Sequence, residues 1–399
     1  MKILVAHNNY LLPGGEDAVV RSEVAMLKQF GEEVLLYDRN NKEIESASIS
    51  RKIQYIWELG GSPRTYREIR SLIKGFRPDV AHFHNIFFSI TPSAYQACKD
   101  EGVPVVQSQH NFRLLCSNAL FYRDNKVCED CLGKNLIPGI YHRCYKNSFW
   151  ASYFLSRMLQ RHWQRGTWLN MVDSYVVAAE FTRQKYIQGG IPADKIFVKP
   201  NFFDQALPES QEKQNDYVLY VGRLSEEKGV DVLINAWRFL EGIPLKIMGQ
   251  GVQEEQLKGL ARGIKDIDFV GYVSQDEYHH YMSGARVIVL PSLCYESFPR
   301  VFVEACAYGI PAVASRLGSL QELVKDGENG LTFDPGNPHD LAQKMRHILN
   351  DENEWKRMRE KALESYRIKY TPQKNYEMLK DIYNQVILKS KTIAKNEHQ

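Results

Sequence analysis

Pro291-Ser292-Leu293-Cys294-Tyr295-Glu296-Ser297-Phe298-Pro299-Arg300-Val301-Phe302-Val303-Glu304-Ala305 follows directly on the aliphatic run Val287–Leu290. A short β-branched run reads as a buried strand, and the polar turn after it leads into a segment that suits a helix. Pro299 suits the first helical position, because its missing N–H costs nothing there. The amides of Arg300 and Val301 are then donors at a helix N-terminus. Glu296 sits in the loop before the helix and Glu304 two turns inside it, so the pair can grip different hydroxyl-bearing parts of one ligand. Strand, loop and helix in this order form the repeating unit of a parallel α/β sheet, which binds ligands at the carboxyl ends of its strands.

The same unit recurs on either side. After the strand-like Tyr217–Val221 come Gly222-Arg223-Leu224-Ser225-Glu226-Glu227-Lys228-Gly229 and a helix with Val230, Leu233, Ile234 and Trp237 on one stripe. A strand-end glycine with Arg223 and Lys228 presents two cations and a helix N-terminus to one anion. Further strands are expected at Leu245–Met248, Asp268–Val270, Ala312–Ala314 and Leu331–Phe333. In the first half they are expected at Lys2–His7, Glu33–Tyr37, Val80–Phe83, Val103–Gln107, Tyr175–Ala178 and Ile196–Lys199, with Val20, Val24 and Leu27 on one helical face after the first. The two series are separated by the polar, aperiodic Asp204–Asp216, read as a linker. The fold class is therefore α/β, with two doubly wound Rossmann-like domains, 1–203 and 217–370, facing a central cleft. A last helical segment within 371–390 has no strand after it and suits a helix crossing back over the first domain.

At 399 residues the chain is too long for one ordinary core. It has no run approaching ~20 apolar residues and no secretory h-region, so the expectation is a cytoplasmic protein that does not span a membrane. The net charge of +3 hides an asymmetry: residues 1–200 carry 26 Lys and Arg against 19 Asp and Glu, the remainder 25 against 29. From Leu132 to Val172 there is no carboxylate, while Lys134, Arg143, Lys146, Arg157, Arg161 and Arg165 are interleaved with Phe149, Trp150, Tyr153, Phe154, Trp163 and Trp168. A second basic stretch, Arg51–Arg77, sets seven cations against Glu58 and Glu68. Basic and aromatic residues on one helix suit the surface of an anionic bilayer; the competing reading is a core helix with a solvated face. No nucleic-acid module is visible.

Taken together the motifs resemble glycosyltransferase family 4. Gly222-Arg223 with Lys228-Gly229, the Glu-x7-Glu segment Glu296–Glu304, Gly309-Ile310-Pro311 with Ala314-Ser315, and Gly318–Glu322 with Asn329-Gly330-Leu331 follow in that family's order. So do Pro13-Gly14-Gly15-Glu16, His82-Phe83-His84-Asn85, His110-Asn111 and Asn201-Phe202-Phe203-Asp204 in the first half. The resemblance implies a GT-B, retaining glycosyltransferase. Arg223 and Lys228 would neutralise the donor diphosphate, Glu304 would accept from the ribose hydroxyls, and Glu296 would hold the transferred sugar, with the backbone of Ser297, Phe298, Arg300 and Val301 closing on the phosphate. The Gly14-Gly15 loop would approach the phosphate or acceptor, and His110 would lie close to the sugar. Two departures stand out: Ser297 is the residue after the first Glu, and Asn201-Phe202-Phe203-Asp204 replaces the usual Asn-Gly-Val-Asp.

Family members often build lipid-linked capsule, O-antigen or exopolysaccharide repeats. The resemblance thus implies a nucleotide diphosphate sugar donor, UDP-sugar first and GDP-mannose second. It implies a glycan or lipid-linked acceptor and a place in the cytoplasm, peripheral on the inner face of the membrane. With Arg223 and Lys228 supplying positive charge, no catalytic metal is expected. Asp266-Ile267-Asp268 imitates a metal-binding carboxylate pair, and Gly249-Gln250-Gly251 has two of three dinucleotide-fold glycines. Two alternatives stay open: a GT-B nucleotide-sugar epimerase and a non-catalytic nucleotide-sugar-binding subunit.

Seven cysteines, an odd number in a large chain, argue against a disulfide framework. Within an insertion at about 112–147, Cys128-Glu129-Asp130-Cys131 is a C-x2-C knuckle, with Cys116 before it and Cys144 after. Four thiolates at such spacing match a structural tetrahedral zinc site, His142 being a substitute ligand. Four unlinked thiols, or a redox pair at Cys128 and Cys131, are the alternatives.

Overall fold

The structure is a computed structural model describing residues 1–11, 14–46, 48, 54–55, 58, 60–205 and 217–396. The chain divides into two compact units: Met1–Ala119 with Glu129–Pro200 and Pro372–Gln399, and Leu120–Cys128 with Asn201–Thr371. Most of the expected linker, with Pro13 and part of the basic stretch that opens at Arg51, lies outside the described residues.

The first unit is built on β1 (Lys2–Asn9), β2 (Glu33–Asn40), β3 (Val80–Phe83) and β4 (Val105–Gln109). The short β5 (Tyr122–Arg123) and β6 (Lys126–Val127), which the second unit claims, intervene before β7 (Ser174–Val177) and β8 (Ile196–Val198). The sheet order is β2-β1-β3-β4-β7-β8, with parallel ladders throughout. Central strands Val80–Phe83 and Ser174–Val177 are buried along their whole length, as a sheet covered on both faces requires. Trp168, Tyr95, Tyr175 and Tyr186 fill the space beside it.

The second unit is built on β9 (Tyr217–Val221), β10 (Leu245–Met248), β11 (Ile267–Gly271), β12 (Ala285–Leu290), β13 (Ala312–Ser315) and β14 (Gly330–Phe333). Its order is β11-β10-β9-β12-β13-β14, again parallel. This is a doubly wound sheet whose order reverses between β9 and β12, as the first reverses between β1 and β3. Its core joins Val218, Val287 and Val289 of the sheet to Leu233, Trp237, Leu341 and Met345 of the covering helices.

The strand expected from Val103 starts later, at Val105, because Pro104 has no N–H to give a central ladder. The hairpin β5–β6 was not foreseen. Its two turn residues, Asp124 and Asn125, have φ of 53° and 58°, the paired left-handed conformation of a tight hairpin, which Asp and Asn tolerate. The expected insertion is thus divided, Leu120–Cys128 going to the second unit and the rest to the first.

The final helix runs Pro372–Asn396, beyond the expected 390, and belongs to the first unit. Polar contacts fix it there. Tyr383 Oη lies 2.7 Å from His82 Nδ1, and Lys199 Nζ donates to Asn375 Oδ1 at 2.8 Å. Tyr376 donates to Glu32 at 2.6 Å and stacks on Phe30. Beneath the helix, Lys199 pairs with Glu23 at 3.0 Å, both nearly inaccessible to solvent. Removing one partner of a buried pair strands the other's charge. Lys199→Met is therefore expected to destabilise the first unit by about 3–5 kcal/mol, and Tyr383→Phe by about 1 kcal/mol. Denaturant unfolding followed by near-ultraviolet circular dichroism checks the ranking; equal losses in the two variants would contradict it.

Candidate active site

The second unit gathers most of the expected site at the carboxyl ends of β9 and β12, where the strand order reverses. After β9, Gly222 and Arg223 lead into a single 3-10 turn, Glu226–Lys228, and the helix Val230–Trp237 follows. Gly229 joins them with φ of 65°, and a Cβ there would lie 2.1 Å from the Pro291 carbonyl oxygen. Only glycine lets the two loops approach this closely. They are also joined by the Leu293 amide, which donates to the Glu227 carbonyl at 2.8 Å.

This approach brings Lys228 Nζ to 2.6 Å from Glu296 Oε1, and Ser292 Oγ donates to the same oxygen at 2.6 Å. Burial opposes the charge of Glu296, but the Lys228 ammonium outweighs it and holds the carboxyl below its ordinary pKa. Burial likewise opposes the charge of Lys228, and Glu296 more than compensates, raising it. The result is a preformed, fully ionised pair. Ser319 Oγ donates to the Glu296 carbonyl at 2.7 Å and fixes the loop from behind.

Arg223 is different: its side chain is 71% exposed and reaches Glu227 at 3.3 Å, which Ser225 also holds at 2.8 Å. It is a solvated cation at the rim beside a fixed one. Phe298 is buried against Tyr370. The helix after it begins at Arg300, not at Pro299, which is the cap residue with extended ψ of 115°. The correction follows from the Phe302 amide, which closes its turn on the Pro299 carbonyl. The amides of Arg300 and Val301 stand in the first turn of the helix Arg300–Tyr308. Glu304 is held by Arg300 at 3.1 Å and by the hydroxyl of Tyr278. Tyr278 lies outside every motif quoted above, and Ser292 and Ser319 lie inside two of them without a role assigned to either.

Gly249 and Gly251 have a local cause. Cβ atoms there would lie 1.9 Å from the Gly222 carbonyl and 2.2 Å from that of Leu224. They let the turn after β10 press against the loop that carries Arg223. Asp266 accepts from the Gly242 amide at 3.0 Å and Asp268 meets Lys246 at 3.4 Å, both at the edge of the sheet.

In the first unit, Gly14 caps the helix Gly15–Gln29, its amide donating to Asp17 at 2.9 Å. Among the described residues, a Cβ at Gly14 or Gly15 would meet nothing within 4 Å. His110 follows β4 and lies with its Nε2 2.9 Å from Nδ1 of His84. His84 Nε2 and His82 Nδ1 lie 3.3 and 3.2 Å from Glu23 Oε1. Among the described residues, Glu23, His82 and His84 are close enough together to hold a metal ion. Cys116 is buried and Cys128, Cys131 and Cys144 are half-buried; Cys128 falls in the second unit and the other three in the first.

On the helix Phe149–Gln164, Leu155, Met158 and Leu159 face the core, while Phe149, Trp150 and Phe154 are exposed together with Arg157 and Arg161. Trp168 is core, and Trp163 donates to the Leu114 carbonyl at 2.9 Å. Among the described residues no helix is long and apolar enough to cross a membrane.

Two doubly wound α/β sheets with charged loops at their switch points define the GT-B class of fold. The model of the Glycosyltransferase Family 4 domain matches residues 13–207, and that of Glycosyl transferases group 1 matches residues 203–365. The chain belongs to this glycosyltransferase family. An uncharacterized glycosyltransferase of Methanocaldococcus jannaschii is 34% identical over 139 residues, 34% of this chain and 39% of that one. Glycogen synthase of Mycobacterium tuberculosis is 38% identical over 141 residues, 34% of each chain. The lipopolysaccharide core biosynthesis glycosyltransferase LpsE of Rhizobium meliloti is 32% identical over 151 residues, 37% of this chain and 44% of that one. The matching stretches thus span less than half of these relatives. The solved structure of Anabaena HepE in complex with UDP has a TM-score of 0.66 at 17% identity, covering 96% of this chain and all of that one.

Proposed function

We propose that the protein is a retaining glycosyltransferase that moves a sugar from a nucleotide diphosphate sugar, UDP-sugar first and GDP-mannose second, to a hydroxyl on a glycan or lipid-linked acceptor. The observation that carries this reading is the ionised Lys228–Glu296 pair at the switch point, with Arg223 at its rim. Departure of the diphosphate develops negative charge on the β-phosphate, and a preorganised ammonium is worth most at that moment. As the phosphate draws Lys228, Glu296 gains capacity to accept from the sugar hydroxyls. Glu304, held by Arg300 and Tyr278, supplies the acceptor for the ribose hydroxyls.

Retention is proposed to proceed by front-side attack. The bond from the anomeric carbon to the β-phosphate oxygen breaks with its electrons on the phosphate. The acceptor oxygen bonds to the same face, and its proton passes to the departing phosphate. His110 is proposed to lie beside the transferred sugar. UDP is favoured because the structurally similar HepE was solved with it, and a lipid-linked acceptor because LpsE serves lipopolysaccharide synthesis.

A panel of nucleotide sugars tests the donor: at 100 times its dissociation constant the right one adds about 2.7 kcal/mol of stability, seen as a raised melting temperature. Lys228→Ala and Glu296→Gln are each expected to lower turnover about a hundredfold, near 3 kcal/mol, with the fold kept but the melting temperature lowered, because each leaves its partner's half-buried charge unpaired. Chelation of magnesium is expected to leave initial rates unchanged. Near-normal turnover in either variant would remove the assignment.

The carboxylate-free segment 132–172 supports a place at the inner face of the membrane. Trp150 and Tyr141 are 66% and 79% exposed, and Lys134, Arg143, Lys146, Arg157, Arg161 and Arg165 are exposed around them. Co-sedimentation with anionic vesicles is expected at low salt and its loss at high salt, since screening shortens the reach of these charges. Failure to bind at low salt would favour a soluble acceptor.

Cys116, Cys128, Cys131 and Cys144 are proposed to hold one structural zinc, ordering an insertion too small for a core of its own. Elemental analysis is expected to find about one zinc per chain, lost in Cys128→Ser. Metal-free native protein with all four thiols open to alkylation would refute it.

A further inference from the structure

Within the second unit, the helix Gln275–Gly284 before β12 is tied to the helix Arg300–Tyr308 after it by two polar contacts. The first helix starts from a capping box: Ser274 Oγ accepts from the Glu277 amide at 3.4 Å, and the Glu277 carboxylate accepts from the Ser274 amide at 2.9 Å. The cap fixes the helix start just ahead of Tyr278 and His279. The Tyr278 hydroxyl donates to Glu304 Oε2, and His279 Nδ1 meets the hydroxyl of Tyr308. Their partners stand one turn apart on the helix Arg300–Tyr308, where Glu304 is the only carboxylate. The His279 contact joins the two helices; the Tyr278 contact falls on a residue that the proposed chemistry uses.

Glu304 is held from a second side. The Arg300 guanidinium, one turn earlier on the same helix, lies 3.1 Å from the other carboxylate oxygen, Oε1. Each oxygen therefore has one fixed donor. Burial pushes the Tyr278 hydroxyl pKa well up, so it keeps the proton that it gives to the carboxylate. A carboxylate offers about two acceptor directions on each oxygen. The clamp fills one on each, and the Glu304 side chain stays 13% exposed. What remains is two acceptors side by side on a carboxylate that cannot turn. The ligand group that satisfies both is a pair of neighbouring hydroxyls.

We propose that Tyr278, with Arg300, is a positioning residue that aims Glu304 at a vicinal diol, so that the site selects ribonucleotide diphosphate sugars over 2′-deoxyribonucleotide ones. The inference rests on the proposed contact of Glu304 with the ribose. With both hydroxyls present, each carboxylate oxygen exchanges water for one donor. Without the 2′-hydroxyl, one oxygen loses its water and receives nothing, and a site built to receive a hydroxyl rejects the analogue that lacks it. Sugars carried on deoxythymidine diphosphate are thereby excluded as donors. A carboxylate free to turn lacks this discrimination, because it can swing one oxygen onto a single hydroxyl and leave the other in water.

Calorimetric titration of the full chain with UDP and with 2′-deoxy-UDP tests both parts. If the donor panel selects guanosine, the corresponding guanosine pair takes their place. UDP is expected to bind at least about tenfold more tightly than 2′-deoxy-UDP. Tyr278→Phe keeps the ring and leaves His279 on Tyr308. In this variant the affinity for UDP is expected to fall about tenfold while that for 2′-deoxy-UDP is nearly unchanged, so that their ratio collapses. A general loosening of the unit weakens both ligands alike and leaves the ratio as it was. An unchanged ratio in Tyr278→Phe would mark Tyr278 as a tie between helices and overturn its positioning role. Equal affinities in the unsubstituted protein would overturn the selectivity and leave the proposed function in place. Failure to bind any nucleotide sugar of the panel would remove both. Should Tyr278→Phe not fold, Arg300→Leu withdraws the other donor and is expected to lower the same ratio; an unchanged ratio there overturns the clamp.

Discussion

Where the order of a parallel sheet reverses, the crossover helices part to opposite faces and neither covers the strand ends between them. Everything chemical in this protein follows from that constraint. In the second sheet the gap lies between β9 and β12. The loops that leave those strands run close together because Gly229 and Gly249 remove the side chains that would hold them apart. Closeness turns two ordinary surface residues into the Lys228–Glu296 pair. In the first sheet the gap lies between β1 and β3, and the strand ends there carry histidines.

The two sites handle charge in opposite ways. In the second unit the charges at the loop ends are paired within partial reach of solvent: Lys228 has Glu296, and Glu304 has Arg300 and a tyrosine hydroxyl. Each charge is thereby neutralised by its partner, since a bare ion in so buried a place would be costly. In the first unit the charges are sealed. Lys199 and Glu23 face each other out of reach of solvent, with Asn375 on the lysine and His82 and His84 against the carboxylate.

The sequence made the sheet strands legible because each is a short β-branched or aliphatic run bounded by turn residues, and such runs have few other ways to be buried. Val80–Phe83 and Tyr217–Val221 were read to the residue. The charged loops were legible for a related reason: Arg223, Lys228, Glu296 and Glu304 keep a spacing along the chain, and loops at strand ends turn spacing into proximity. What could not be read were partners separated by long stretches of chain. Glu23 carries no motif or spacing signal on its helix; its partner Lys199 stands at the far end of the first sheet's sequence and is itself tied to Asn375. Pro299 fell one place outside the helix because the proline ring constrains φ alone, and its ψ is extended. The hairpin at Asp124-Asn125 was missed because its strands are two residues long, too short for alternation to show.

The return of the helix Pro372–Asn396 to the first unit bears on how the chain is made. A ribosome delivers the first sheet early and its last helix at the end, with the whole sheet of the second unit in between. Until that helix emerges, His82 lacks Tyr383, Lys199 lacks Asn375 and Glu32 lacks Tyr376. The first unit therefore waits, partly assembled and with buried polar groups open to water, while the second unit, whose sheet strands are contiguous in the chain, can close first. Domains that emerge first usually fold first. Here connectivity favours the opposite order, and a chain released short of its last helix would hold a complete second sheet joined to an unfinished first unit.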